Sequence, residues 1–300
     1  MNQLAKAKVS ATIAVSGKRV RKEAIHPRSS VPLTILAYGV TFLVMLPLLW
    51  MVLLSFKSNE DILNNPFSLP RVISFENYAR ALETLNLGLL YRNTLVIAIV
   101  TIVFEILITF MSSYALARMV FRSERLRRSV TAFLLMGLAI PAFILLFPVY
   151  RITIMLGLNN SYTSLVLPYI ATSISFNTLL FTGFLRGFPR EVEEAAVIDG
   201  CGLISLGRSV VFPIVMPVVA TVFIFNVLYI WNEFPFAVTL ISDDSLTTIS
   251  LGISQFKGRF NIDYGGIIAA SMLIIIPQLV FFGFFQRFIM EGMTAGAVKG

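Results

Sequence analysis

Cysteine and histidine are almost absent from this sequence, with one of each among 300 residues. A disulfide framework needs paired cysteines, and a Cys/His metal cluster needs several such ligands, so both kinds of site are excluded. Cys201 has no histidine near it, because His26 lies far upstream in a basic stretch. We expect Cys201 to be a packing residue rather than a nucleophile, and we expect no catalysis by this chain.

The sequence also lacks a phosphate-binding loop. A Walker A loop needs an upstream glycine and a Ser or Thr after its lysine. Gly17-Lys18 lacks that glycine and is followed by Arg19. We therefore expect no cofactor, and no ATP, to be bound by this chain itself.

Charged residues are scarce as well, at 13%, whereas hydrophobic residues make up 57%. A soluble domain carries about 25% charged residues, so this composition indicates a protein embedded in a lipid bilayer. A helix needs about 20 apolar residues to cross the bilayer. Six stretches with little or no charge meet that length: 32–56, 93–117, 129–150, 161–185, 209–231 and 264–286. The sequence thus predicts an all-α integral membrane protein with six transmembrane helices.

Most of the 24 Lys and Arg residues fall in the two terminal stretches and in the connections after the second and fourth predicted spans. Cytoplasmic loops retain such residues, so both termini are predicted to be cytoplasmic. This orientation accounts for the net charge of +8, and we expect no nucleic-acid partner. The basic stretch 1–31 and the apolar run after it are too long for a cleaved secretory signal, so the first helix should stay as an anchor.

Between the fourth and fifth predicted spans lies the run Glu194-Ala195-Ala196-Val197-Ile198-Asp199-Gly200, and Pro213 and Pro217 follow where the chain re-enters the membrane. Acidic residues in a first turn complement the helix dipole, and glycine suits a helix end, so the run predicts a short cytoplasmic helix. Acidic first turns and alanines also occur in ordinary surface helices. Together with the Phe212-Pro213 spacing, however, this run resembles the EAA loop of ABC-importer permeases. Cys201 departs from that pattern, which usually has alanine there.

Polar residues within the predicted spans are candidates for lining a pathway. On the second span the candidate is Glu105, which shares one face of the helix with Thr94, Thr101, Thr109 and Ser112. An ionised carboxylate facing lipid would cost about 3 kcal/mol, so Glu105 should face the bundle interior or a wet cavity. Further candidates are Ser175, Asn177 and Thr178 on the fourth span and Asn226 on the fifth. Each of these side chains could instead serve as hydrogen-bonding glue between helices.

The carboxyl-terminal stretch strengthens the family resemblance. Phe285-Gln286-Arg287-Phe288, followed by 292–300, resembles the end of the maltose-type second permease subunit, the MalG-like branch of carbohydrate importers. Ser113-Tyr114-Ala115-Leu116-Ala117-Arg118 and Asn159-Asn160-Ser161-Tyr162 also resemble that branch. The resemblance covers residues 32–300 and implies a type I ABC importer permease fold.

This resemblance implies a heterodimer with a second, homologous permease subunit, two ATPase subunits that hold ATP and Mg²⁺, and an extracytoplasmic sugar-binding protein. The implied ATPase-coupling residues of the EAA loop are Glu194, Ala195, Ala196, Asp199, Gly200, Pro213 and Pro217. The implied residues of the ATPase-interface tail are Thr294, Gly296, Lys299 and Gly300. The implied binding-protein contacts in the external loop are Ser245, Gly252, Gln255, Lys257 and Arg259.

The expected organisation is a basic cytoplasmic tail (1–31), a permease domain (32–290) and a cytoplasmic carboxyl tail (291–300). The permease domain would contain the EAA docking loop at 189–212 and an external loop at 233–263. The expected function is one half of an ATP-driven importer for a sugar, with an oligosaccharide favoured. Two alternatives stay open: an ion-coupled secondary transporter that uses Glu105 as its proton carrier, and a noncatalytic membrane scaffold.

Overall fold

A computed structural model describes residues 31–256 and 262–297, with side chains described up to residue 288. The described residues form helices and loops and contain no β-strand. In chain order the α-helices are α1 (Val31–Leu54), α2 (Asn59–Asn64), α3 (Glu76–Thr84), α4 (Leu87–Arg118), α5 (Glu124–Met136), α6 (Leu146–Met155), α7 (Tyr162–Gly187), α8 (Glu191–Ile198), α9 (Leu203–Ser205), α10 (Phe212–Ile214), α11 (Met216–Asn232), α12 (Pro235–Leu240), α13 (Ile249–Gly252) and α14 (Tyr264–Ala297). The chain divides into two units at residue 49, within α1.

Four of these helices, α1, α4, α7 and α14, are long and apolar enough to cross a membrane. The other two predicted spans are bent helix pairs. Glu124–Ala139 and Ala142–Met155 meet at 97°, and Leu203–Ile214 and Met216–Asn232 meet at 72°. The described part of the chain therefore holds six spans if each bent pair counts as one, as the sequence predicted.

Proline explains the first break. Pro141 lies between the two halves of the third span and has no N–H for a helix hydrogen bond. The fifth span bends next to Val215, between Pro213 and Pro217, and its first half contains a π-helix at Leu206–Val211. By contrast, Pro168 and Pro277 lie within the continuous helices α7 and α14.

The helices α4 and α7 run parallel and form the centre of the second unit. Near their first turns, the Tyr162 hydroxyl donates to Asn93 Oδ1 at 2.6 Å. At their other ends, Arg118 donates to the Phe188 carbonyl at 2.9 Å. Between these contacts the Phe110 and Phe181 rings pack edge to face with centroids 6.2 Å apart. The two helices therefore stay in contact over their whole length, and α11 packs against both.

The connection between α1 and α4, which contains α2 and α3, lies at the end of the bundle where α4 and α7 begin. Lys57 is buried there, and its ammonium group donates to the carbonyls of Asn65 at 2.6 Å and Ser68 at 3.0 Å. Asn77 donates to the carbonyls of Ser55 and Lys57, both at 2.8 Å. These bonds satisfy the buried polar groups of the connection, and its helix α3 packs against α14.

Candidate functional site

The EAA segment (residues 191–200) consists of helix α8 and the turn after it, and it lies where α4 and α7 end. Glu193 on α8 forms an ion pair with Arg118, the last residue of α4, with Nε and Oε1 2.8 Å apart. Both side chains are nearly buried, at 6% and 11% exposure. Because Arg118 also binds the Phe188 carbonyl at the end of α7, one guanidinium joins α4, α7 and α8.

The turn after α8 has the geometry that the sequence predicted. Gly200 has a φ of +85°, a left-handed conformation that glycine adopts without steric cost. The Gly200 N–H donates to the Val197 carbonyl and the Cys201 N–H donates to the Ala196 carbonyl, each at 3.0 Å. These bonds satisfy carbonyls at the end of α8 and fix its direction.

The EAA segment and the residues just after it expose large apolar side chains. Ile198 is 85% exposed and Ile204, in the next turn of chain, is 86% exposed. Glu194, Ala195, Asp199 and Gly200 are exposed as well, and Ala196 is half-buried. Beside them lies a groove of about 400 Å³, lined in part by Tyr114, Glu194 and Ile198. Pro213 and Pro217 lie apart from this surface, in the bent fifth span.

Three of the five candidate pathway residues lie in a sealed polar layer between α4 and α7. We define the sealed layer as Thr101, Glu105, Asn177 and Thr178, whose side chains are all 0% exposed. Both Glu105 carboxyl oxygens, the Thr101 and Thr178 hydroxyls and the Asn177 amide nitrogen lack a hydrogen-bond partner among the described residues. Glu105, Asn177 and Thr178 therefore line no open cavity in this structure, because the two helices pack directly over them.

The other two candidates, Ser175 and Asn226, line an open cavity. We call it the helix-break pocket: it lies between α7, α11 and the break in the third span, and it measures about 510 Å³. Three aromatic side chains, Phe176, Phe225 and Tyr229, line it too. Asn226 connects the pocket to the sealed layer, because its amide donates to Asn177 Oδ1 at 3.2 Å.

The loop after α11 folds back onto the start of α4. Asn93 donates to the carbonyls of Ser245 and Thr247, both at 2.9 Å, so the loop is fixed at Ser245. Hydrogen bonds from the Ser245 hydroxyl and N–H lower the pKa of the exposed Asp243. Gln255 is exposed, whereas Gly252 is buried so closely against Leu90 that a Cβ there would lie 2.7 Å from a Leu90 methyl group. Gly252 thus packs beneath the loop surface.

Several predicted residues lie outside the part of the chain that the structure describes. Lys257 and Arg259 fall in the gap at 257–261, and Lys299 and Gly300 follow the last described residue. Thr294 and Gly296 belong to α14, which continues beyond residue 290 to Ala297. Among the described residues, no group of three or more His, Cys, Asp or Glu side chains could hold a metal ion.

Sequence reasoning missed two features of the site. It did not single out the ion pair of Arg118 with Glu193, although an arginine at the very end of a span is a usable signal. It also missed the aromatic lining of the helix-break pocket. Phe225 and Tyr229 are four positions apart on α11 and therefore share a face, and Asn226 lies three positions before Tyr229, a pattern visible in the sequence.

Comparison with known proteins identifies the family. Residues 109–294 match the family described as the binding-protein-dependent transport system inner membrane component. The diacetylchitobiose uptake system permease protein NgcG of Streptomyces coelicolor is 34% identical, over 86% of this chain and 85% of that protein. The arabinooligosaccharides transport system permease protein AraQ of Halalkalibacterium halodurans is 30% identical, over 93% of this chain and all of that protein.

A solved structure shares the fold. One chain of a bacterial ABC transporter that imports the acidic polysaccharide alginate superposes with a TM-score of 0.72 at 19% identity, covering 85% of this chain and 94% of that one. This fold agrees with the six spans in the described part of the chain. The chain belongs to the family of binding-protein-dependent transport system inner membrane components.

Proposed function

We propose that this chain is the membrane subunit of an ATP-driven importer for a sugar, with an oligosaccharide as the preferred cargo. The observation that carries this proposal is the relatedness, over most of the chain, to permeases named for diacetylchitobiose and arabinooligosaccharides. The chain would form half of the translocation pathway, and a second, homologous permease subunit would form the other half. It would hydrolyse no ATP itself.

Coupling to an ATPase would occur through the EAA segment. The exposed apolar residues Ile198 and Ile204 offer a contact surface for a cytoplasmic partner. The partner would be an ATPase dimer with ATP and Mg²⁺ at its own sites. The nearly buried pair of Arg118 with Glu193 joins this surface to the ends of α4 and α7. Movement of the ATPase dimer would therefore move α8 and tilt the spans as a unit.

The remaining partner would be an extracytoplasmic sugar-binding protein. Its contact would be the loop after α11, where Ser245 and Gln255 are exposed. The bonds from Asn93 hold this loop on α4, so docking there would act on the same helix that meets α8 at the opposite end. Both partners would thus act on α4.

The coupling can be tested with two matched substitutions on exposed apolar residues. Ile198→Glu places a charge on the EAA segment, whereas Val120→Glu places one on the connection after α4, at a residue that is 99% exposed. We expect Ile198→Glu to abolish copurification of the ATPase and ATP-dependent sugar uptake, because a charge would be buried in an apolar contact. Val120→Glu should leave both intact. ATPase binding and transport that survive Ile198→Glu would contradict the proposal.

Two further variants extend this test. Gly200→Asp should also weaken ATPase association, because an L-residue at a φ of +85° strains the turn that orients α8. Gly202→Asp, two residues further on at a φ of −71°, is its control for added charge.

Truncation after residue 291 removes the proposed ATPase-interface tail and should lower stimulated ATPase activity while membrane insertion stays normal. Full coupled transport by the truncated protein would exclude a role for this tail.

A further inference from the structure

The helix-break pocket extends towards the side of the membrane where α4 and α7 begin. A second cavity of about 230 Å³ shares Ala142 and Tyr229 with it and reaches Asn232 and Glu233 at the end of α11. The two cavities follow one face of α11. Together they make a groove that leads from the outer loop to the level of Asn226.

The pocket has an aromatic wall. The Phe176 and Phe225 rings meet edge to face with centroids 5.5 Å apart, and Tyr229 is 39% exposed beside them. The faces of such rings carry negative charge density and attract weakly positive C–H groups. A sugar ring presents C–H groups on its faces and hydroxyls around its edge. An aromatic wall with polar groups beside it therefore suits a sugar.

The polar groups of the pocket have unused hydrogen-bonding capacity. The Asn226 amide nitrogen is committed to Asn177 Oδ1 and to the Val222 carbonyl. No hydrogen bond reaches Asn226 Oδ1 or Ser175 Oγ from any described residue, and both side chains line the pocket. At membrane depth an unpaired polar group is costly. Hydroxyl donors on a ligand would satisfy these acceptors.

Charge is missing from the described lining. No Asp, Glu, Lys or Arg lines the helix-break pocket. Glu233, at the outer cavity, is already bound by the Tyr169 hydroxyl at 2.6 Å and by the Phe236 N–H at 2.8 Å. An anionic sugar would lose its hydration here without meeting a cation, which is unfavourable. The lining favours an uncharged ligand.

We propose that this subunit itself binds the transported sugar in the helix-break pocket, as an uncharged sugar ring stacked on the aromatic wall and hydrogen-bonded to Asn226 and Ser175. This inference rests on the proposed function and adds to it a binding site and a charge preference. The helix-break pocket has a volume of about 510 Å³, which falls within the range of roughly 300–1,000 Å³ of small-molecule sites. The rival occupant is a side chain of the second permease subunit.

Cysteine labelling tests the site in the complete importer. Replacement of the natural cysteine by Cys201→Ser gives a background in which Tyr229→Cys places one thiol of this chain in the pocket. The control is Leu179→Cys, an exposed apolar position of α7 outside the pocket. The probes are an uncharged glucosyl methanethiosulfonate and the anionic sulfonatoethyl methanethiosulfonate, each compared with its rate on free cysteine.

We expect the uncharged probe to react with Tyr229→Cys about tenfold faster than the anionic one, because the pocket offers no cation. An excess of melibiose, raffinose or diacetylchitobiose should slow that reaction about threefold or more by occupying the pocket, and mannitol at equal osmolarity should not. Leu179→Cys, outside the pocket, should show no protection by any of these sugars. Phe225→Cys, on the same wall, should repeat the pattern if Tyr229→Cys fails to assemble.

Three results would overturn the inference. No labelling at either pocket position would mean that the partner subunit fills it. Equal or faster labelling by the anionic probe would remove the charge preference, and an absence of protection by all three sugars would remove the sugar site. Failure of the proposed function is a separate result, namely no ATP-dependent sugar uptake by the unmodified importer.

Discussion

The sealed layer and the helix-break pocket have similar polar residues and opposite surroundings. Glu105 and Asn177 are enclosed between two parallel helices and carry polar atoms without partners. Ser175 and Asn226 face a cavity with aromatic walls. Ser175 and Asn177 are only two positions apart on α7, but two positions turn an α-helix by about 200°. A polar residue in a span therefore does not by itself indicate a pathway. Its role, packing between helices or lining a cavity, depends on whether another helix covers it.

The largest effect that would separate the two regions is expected from Glu105→Lys. The ammonium group would sit where both neighbouring helices exclude water and where no described side chain offers a carboxylate. Removing such a charge from water costs several kcal/mol, so we expect loss of the assembled complex in membranes, measured by copurification yield. Glu105→Gln, which keeps the shape without a charge, is the control and should assemble normally. Normal assembly of the lysine variant would show that this layer is open to water.

Asn226→Leu should affect both regions, because Asn226 joins them. The substitution removes the donor to the buried Asn177 Oδ1 and an acceptor from the pocket. We expect a loss of about 1–3 kcal/mol in stability, seen as a lower Tm of the purified complex, together with weaker sugar uptake. The matched control for the Tm is Asn232→Leu on the same helix, because Asn232 is exposed and its only hydrogen bond to a described residue is to the Leu228 carbonyl of its own helix. An equal drop in Tm for both variants would contradict the bridging role.

Much of this arrangement was predictable from composition and spacing. The positions of the six spans follow from runs without charge, and the turn at Gly200 follows from the glycine after an acidic, alanine-rich helix. The bend of 97° at Pro141 was foreseeable only in part, because Pro168 and Pro277 leave their helices continuous. Whether a proline breaks a span depends on what its neighbours offer the freed carbonyl, and those neighbours come from distant parts of the sequence.

Contacts between distant parts of the sequence also decide which of the five pathway candidates lie in the sealed layer and which line the helix-break pocket. Helical spacing places Glu105 on one face of α4 and Ser175 on one face of α7, but it does not reveal which faces meet. The meeting faces are set by long-range contacts such as those of Asn93 with Tyr162 and Arg118 with Phe188. One signal was overlooked, namely that the aromatic positions Phe225 and Tyr229 flank Asn226 on α11 and distinguish a ligand-sized cavity from a packed interface.

A smaller effect is expected at the wall that the third span contributes to the pocket. Gly137 lies so close to Ser175 that a Cβ would overlap the serine hydroxyl. Gly137→Ala should therefore lower the stability by about 1 kcal/mol through overpacking, and the double variant with Ser175→Ala should recover most of the loss. Gly183→Ala on α7, where nothing lies within 4 Å of the new Cβ, is the control. The Tm of the complex is measured for each variant. If Ser175→Ala does not restore the Tm of the Gly137→Ala variant, the contact between Gly137 and Ser175 is not the cause of the loss.

The smallest effect is expected from Glu105→Gln on transport itself. If the sealed layer only holds α4 against α7, an amide of the same shape will serve, and ATP-dependent uptake should stay near the unmodified rate. That uptake should also persist when a protonophore collapses the proton gradient, and an inactive ATPase subunit should abolish it. Normal assembly of Glu105→Gln with uptake and proton movement both lost would favour the ion-coupled alternative, because the carboxyl would then carry the proton. Such a result would turn the sealed layer, rather than the helix-break pocket, into the functional centre of this subunit.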